Sequence, residues 1–213
     1  MRKKVICFSG IDGSGKSTHA RLVFKELKAK GINCRYRWLR YPRFFSFIPE
    51  ALYGLISSTR KTGFSSSSHK IYKTPFHSSK VVINLWPLFQ LVDAFLIMMK
   101  NVYLPAFFGC TLILDRCIID TLVDIAVSLK NEKLIFGVVG KSFLKLIPNN
   151  SLVLIFDVEE SIAVFRKNQT DDVDTLTRKR ILYKSLSKTY RWNVIYTDEL
   201  FHEVHNKVIE LMQ

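Results

Sequence analysis

The segment Gly10-Ile11-Asp12-Gly13-Ser14-Gly15-Lys16-Ser17 fits the pattern G-x-x-x-x-G-K-[ST] in full. It follows the apolar run Val5 to Ser9 (VICFS), which reads as a buried strand. It precedes a stretch with Ala20, Val23, Phe24 and Leu27 on one helical face, closed by Gly31. A strand, a glycine turn and a helix in that order leave few folds open. The glycines let backbone N–H groups approach phosphate oxygens, and the helix N-terminus adds its partial positive charge to the same anion. Lys16 reaches the outer phosphates, and Ser17 offers a hydroxyl to Mg2+. Gly10, Asp12, Gly13, Ser14, Gly15, Lys16, Ser17 and Thr18 are therefore the expected contacts of a nucleoside triphosphate, with ATP and Mg2+ as cofactors.

Further apolar runs recur along the chain. Cys34 to Leu39, Thr111 to Leu114 (TLIL), Leu152 to Phe156 (LVLIF) and Asn193 to Tyr196 (NVIY) read as strands. Helical patterns cover Glu50 to Ser57, Val81 to Leu104, Ile118 to Leu129, Leu134 to Leu146, Glu159 to Arg166, Thr175 to Thr189 and Leu200 to Met212. Short strands alternating with helices predict an α/β chain, with a five-stranded parallel sheet flanked by helices in a three-layer P-loop NTPase fold. No linker interrupts the pattern, so residues 1–213 are expected to form a single domain. The apolar fraction of 48% and aromatic fraction of 13% exclude a disordered chain. Cys7, Cys34, Cys110 and Cys117 form no C-x-x-C pair and predict reduced thiols in a cytoplasmic protein. Val81 to Met99 approaches the length of a membrane span, but Asn84, Pro87, Gln90 and Asp93 favour a buried helix of a soluble core.

Two strands end in a carboxylate, at Asp115 and Asp157. Ligands of an open α/β sheet sit at the carboxyl ends of its strands, so both acids face the phosphate loop. Asp115 is the preferred metal residue beside Ser17, because Arg116 follows it and can neutralise a transferring phosphoryl group.

FSGIDGSGKST, the Asp115-Arg116 pair, IFDVEES after the fourth strand, and TRKRILYKSLSKTYRWNVIYTDELFHEV near the end together resemble thymidylate kinase. The resemblance covers nearly the whole chain apart from an irregular middle. It implies transfer of the ATP γ-phosphoryl to dTMP, and a homodimer formed through helices. It further implies that Asp12 faces the acceptor sugar or the phosphates, and that Arg116 binds the acceptor phosphate. Arg40-Tyr41-Pro42-Arg43 resembles the family's basic segment, which would give Arg40 and Arg43 the same task. Residues 166–174 resemble a short lid, and Gly13 in the loop implies a catalytic arginine from that lid, with Arg166 the candidate and Lys167 next. Lys16, Arg116 and Arg166 are thus the expected catalytic cations. Phe89 on the long central helix is placed to stack on a base.

The acceptor side departs from the family. Ala94 stands where it carries an arginine, Cys117 where it carries an aromatic residue, and Asp120 and Asp124 where it carries polar neighbours of the base. Asp93 and Asp120 either serve a different acceptor or are solvated or paired with Arg40 or Arg43. The charge adds a second theme. The chain carries 32 Lys plus Arg against 18 Asp plus Glu, and residues 1–80 alone hold 17 basic and 3 acidic side chains. Residues 57–80 are Ser-rich, basic and free of acid. A kinase for another phosphate or nucleoside acceptor is therefore one alternative. An ATP-binding module whose basic N-terminal third holds nucleic acid or an anionic membrane is the other. His202 and His205 lie three apart on the last helix and are expected at the surface.

Overall fold

The computed structural model describes residues 5–39, 80–167 and 173–212. Arg40, Arg43, the helix expected at Glu50 to Ser57, the basic stretch 57–79 and residues 168–172 of the expected lid lie outside the described residues.

The strands are β1 (Val5–Gly10), β2 (Cys34–Trp38), β3 (Thr111–Asp115), β4 (Ser151–Asp157) and β5 (Asn193–Tyr196). They form one five-stranded sheet in the order β2-β3-β1-β4-β5, with every pairing parallel. β1 is buried along its whole length, which explains its unbroken apolar run: a central parallel strand is covered on both faces. Its residues alternate between two cores. Val5 and Cys7 join the cluster with Leu112, Leu114, Val153 and Ile155, whereas Ile6 and Phe8 join Ile113, Leu154 and Phe156 on the other face.

Helices cover both faces. α1 (Lys16–Ala29) presents Ala20, Val23 and Leu27 to the sheet, and its exposed Lys25 and Lys28 lie on the solvent side. α8 (Phe201–Met212) shares that layer through Val204, Val208 and Met212. The opposite layer holds α2 (Lys80–Met98), α4 (Ile118–Ser128), α5 (Val138–Lys145) and α7 (Val173–Tyr190). α2 runs on through a π-helical turn, Met99–Tyr103, into α3 (Leu104–Phe107). α6 (Glu160–Lys167) leads out of β4 and ends where the expected lid begins. The helix expected over Leu134 to Leu146 is split by Gly137, which caps α5 in extended geometry after a 3-10 turn at Glu132–Ile135.

α2 is not the fully buried helix that its composition predicts. Trp86, Ala94 and Met98 are in the core, but Leu85, Leu88, Val92, Phe95, Leu96 and Met99 are exposed. The stretch Leu85–Phe107 is long and apolar enough, by length and composition, to cross a membrane.

Candidate functional site

The glycine loop leaves the C-terminal end of the central strand and enters α1 at Lys16. Gly10 has φ of 144°, and a Cβ there would meet the Phe156 carbonyl oxygen at 2.3 Å. Gly13 has φ of 86°, and a Cβ there would meet the Ala163 carbonyl oxygen at 2.3 Å. The loop is therefore clamped between β4 and the backbone of α6, and no side chain fits at either position. Lys16 Nζ donates to the Ile11 carbonyl at 2.8 Å and lies 3.6 Å from Asp12 Oδ1. Ser14 Oγ is buried in the loop with no hydrogen-bond partner among the described residues. A loop cation and an unsatisfied loop hydroxyl fit an anionic ligand.

Ser17 Oγ donates to Asp115 Oδ1 at 2.9 Å, joining the end of the loop to the end of β3. Asp115 Oδ2 accepts from Tyr36 Oη of β2. Burial, followed by the bond to Asp115, pushes the Tyr36 phenol up to about 12, so it remains a donor. One carboxylate beside one hydroxyl is a pair that could hold Mg2+, an ion that otherwise keeps several waters and takes substrate phosphates as ligands. Asp157 has a different fate. Arg180 Nε donates to it at 2.6 Å, and Lys184 Nζ lies 3.0 Å away. Burial would raise its pKa, but the bond to Arg180 and the two cations hold it below the usual carboxylate range. It is a neutralised structural anchor, and of the two strand-end acids Asp115 is the one that meets the loop.

Arg116 takes the left-handed conformation, φ 67°, with its N–H donating to the Phe8 carbonyl at 2.9 Å. Its guanidinium pairs with Asp12 and lies 3.8 Å from Asp120 Oδ1. Asp12 thus holds two cations, Arg116 and Lys16, at the mouth of the loop.

Asp120 corrects the sequence reading. It is neither solvated nor a free acceptor group: its exposure is 0%. Its Oδ2 accepts from Ser9 Oγ at 2.7 Å and from the Cys117 N–H at 2.9 Å, and its Oδ1 accepts from Tyr183 Oη at 2.9 Å. The legible signal was the spacing. Asp120 is the third residue of α4 after Cys117, and it closes a capping box in which a thiol replaces the usual hydroxyl. Asp124 is similarly committed, to Lys179. The pairs with Tyr183 and Lys179 join residues far apart in sequence, and no local pattern announces them.

Arg166 is drawn to the β5–α8 connection. Its Nη2 donates to the Thr197 carbonyl at 2.6 Å and its Nη1 to Thr197 Oγ1 at 3.3 Å. Beside it, His19 stacks on Phe201 with ring centroids 4.5 Å apart and on His205 at 5.7 Å. Burial, then the charges of His205 and Arg166, lower His19 to about 4. His205 also departs from expectation: it is buried, with Nε2 2.7 Å from Glu26 Oε1.

A cavity of about 150 Å³ lies between the end of β2, α2 and α4, lined among others by Arg37, Ala94, Met98, Ile118 and Thr121. Phe89 is half-buried and is not among the residues lining this cavity. Asp93 is buried in α2.

Comparison with protein-family models gives no match, and comparison with the curated proteins gives none either. What the site itself establishes is a parallel α/β sheet with a glycine loop, a lysine, a hydroxyl–carboxylate pair and an arginine converging at its C-terminal edge.

Proposed function

We propose that this chain is a P-loop phosphotransferase of the nucleoside monophosphate kinase class, moving the γ-phosphoryl of ATP to dTMP. One observation carries the reading: Ser17 and Asp115, 98 residues apart, meet at 2.9 Å beside the glycine loop. The sheet order supports it, because the loop follows the central strand, where the chain direction across the sheet switches and ligands bind. The thymidylate choice rests on the resemblance of the loop, the Asp115-Arg116 pair and the C-terminal segment.

Each residue then has a task. The loop N–H groups and Lys16 hold the donor phosphates, and Lys16 leaves the Ile11 carbonyl to do so. Ser17 and Asp115 would hold Mg2+, which offsets charge on the β- and γ-phosphates. Arg116 receives the acceptor phosphate in exchange for Asp12, while Asp120 keeps its guanidinium in place. Asp12, having given up Arg116, accepts from the acceptor sugar. Arg166 exchanges Thr197 for the transferring group, where its guanidinium offsets the charge shared between donor and acceptor. The reaction is positioning and charge stabilisation, with no covalent intermediate.

A coupled ADP-release assay with Mg2+, run across the common nucleoside monophosphates, tests the reading. Stimulation by dTMP above all others is expected. Stimulation by a different monophosphate would move the acceptor assignment, and stimulation by none would remove the kinase.

A further inference from the structure

α2 carries apolar residues on every side, broken only by Lys80, Asn84, Gln90 and Asp93, and in a water-soluble domain so apolar a helix belongs in the core. Here only one side is in the core. At about 100° per residue, Leu85, Leu88, Val92, Phe95, Leu96 and Met99 fall within one arc of roughly 100° on the outer side. The π-helical turn at Met99–Tyr103 then takes in an extra residue, which sets the following residues back by about 100°. That shift returns Leu104 and Phe107 to the same stripe. An unbroken α-helix would have rotated Leu104 away from it. Phe107 is 83% exposed and Phe108 is 72% exposed.

The stripe ends at a basic cavity. A space of about 450 Å³ opens beside edge strand β2, lined by Arg35, Arg37 and Lys100 together with the amides of Asn33 and Asn101. Leu104 and Phe108 belong to both the cavity wall and the exposed apolar surface. Among the described residues no carboxylate lines it. Arg37 Nε is buried with no hydrogen-bond partner among the described residues.

We infer that this face docks on an anionic membrane surface, with the stripe entering the headgroup layer and the cavity receiving a lipid phosphate. The juxtaposition selects the occupant. Nucleic acid would satisfy the cations and leave the apolar stripe in water. A second copy of the chain would cover the stripe but bring no counter-charge. From Leu85 to Cys110 the only acid is Asp93, which is 0% exposed. An anionic bilayer supplies both an apolar layer and phosphates at the depth of the cations, and membrane attachment of this kind needs both signals. The inference stands independently of the kinase reading.

The test is co-sedimentation of the full chain with vesicles of phosphatidylcholine and phosphatidylserine in equal parts, against vesicles of phosphatidylcholine alone, at low and high salt. Binding to the anionic vesicles is expected, weakened by salt. It should fall about tenfold in Phe107→Ser/Phe108→Ser and again in Arg35→Gln/Arg37→Gln/Lys100→Gln. Inorganic phosphate at the same charge should not displace the protein, because a free anion lacks the apolar layer. Circular dichroism checks the fold. Should the triple variant unfold, the phenylalanine pair decides the matter, since both rings are exposed. Absence of binding to anionic vesicles would overturn the proposal, as would equal binding to neutral ones or binding unchanged in the phenylalanine variant. A stable dimer that ignores vesicles and becomes monomeric in Phe107→Ser/Phe108→Ser would assign the face to a second copy instead.

Discussion

Replacing Asp120 by Ala should destabilise the protein by about 3–5 kcal/mol, although this carboxylate touches solvent nowhere. Its two oxygens serve three donors, Ser9 Oγ at 2.7 Å, the Cys117 N–H at 2.9 Å and Tyr183 Oη at 2.9 Å. Ser9 can turn to Cys117 Sγ at 3.8 Å, a weak alternative. The Cys117 amide and the Tyr183 hydroxyl lose these bonds in a dry site, at about 1–3 kcal/mol each. Arg116 keeps Asp12 but loses its second carboxylate. Tyr183→Phe removes one donor and leaves the other two, so it should cost about 1–2 kcal/mol. In the double variant the orphaned hydroxyl is gone, and the cost should fall below the sum of the singles by about 1–2 kcal/mol. Asp120→Asn keeps an acceptor for the Cys117 amide and should lie between wild type and Asp120→Ala. Urea unfolding followed by circular dichroism, with midpoints compared at constant slope, measures all four. A loss of under about 0.5 kcal/mol for Asp120→Ala, or strict additivity with Tyr183→Phe, would refute the network as the support of Arg116.

The other predictions are briefer. Asp157 has its folded pKa held below the ordinary value, so its contribution to stability is present above the unfolded pKa of about 3.9 and is lost as pH falls through the folded one. The stability gap between wild type and Arg180→Met should therefore shrink on acidification below about pH 4, and a gap equal at both ends of the titration would contradict the ion pair. His19, lowered to about 4, should be neutral at pH 7, and its stabilising effect should fade as pH drops from 6.5 towards 4. An imidazole NMR titration that gives His19 an ordinary midpoint would rule out its buried stack on Phe201. Gly13→Ala puts a Cβ 2.3 Å from the Ala163 carbonyl oxygen, so ATP binding should weaken more than tenfold, and unchanged affinity by calorimetry would show that the loop is not clamped by α6.

The inner part of the sheet was legible because its three central strands are buried on both faces and write themselves as continuous apolar runs between turn signals. These are β1, β3 and β4. The glycine loop was legible because its geometry is local: Gly10, Gly13 and Gly15 all take the positive φ that their spacing between a strand and a helix calls for. The Ser17–Asp115 pair was legible at one remove, since a carboxylate at a strand end has only one edge of the sheet to occupy. Asp120 and His205 were misjudged because burial of a polar residue depends on partners distant in sequence, here Tyr183 and Glu26. Composition predicted that α2 would be buried, and the exposed stripe escaped notice because apolar residues on every side erase the periodicity that reports which face is covered. The π-helical turn has no sequence signature at all.

On the proposed function, Lys16, Ser17, Asp115 and Arg116 assemble a site for phosphoryl transfer between two nucleotides. Phosphorus NMR of the protein with Mg2+, ATP and dTMP observes that transfer directly. The dTMP resonance should be replaced by the paired resonances of dTDP as ADP forms, and Asp115→Asn and Lys16→Ala should abolish both. ADP accompanied only by inorganic phosphate, or ATP and dTMP left unchanged together, would contradict that function.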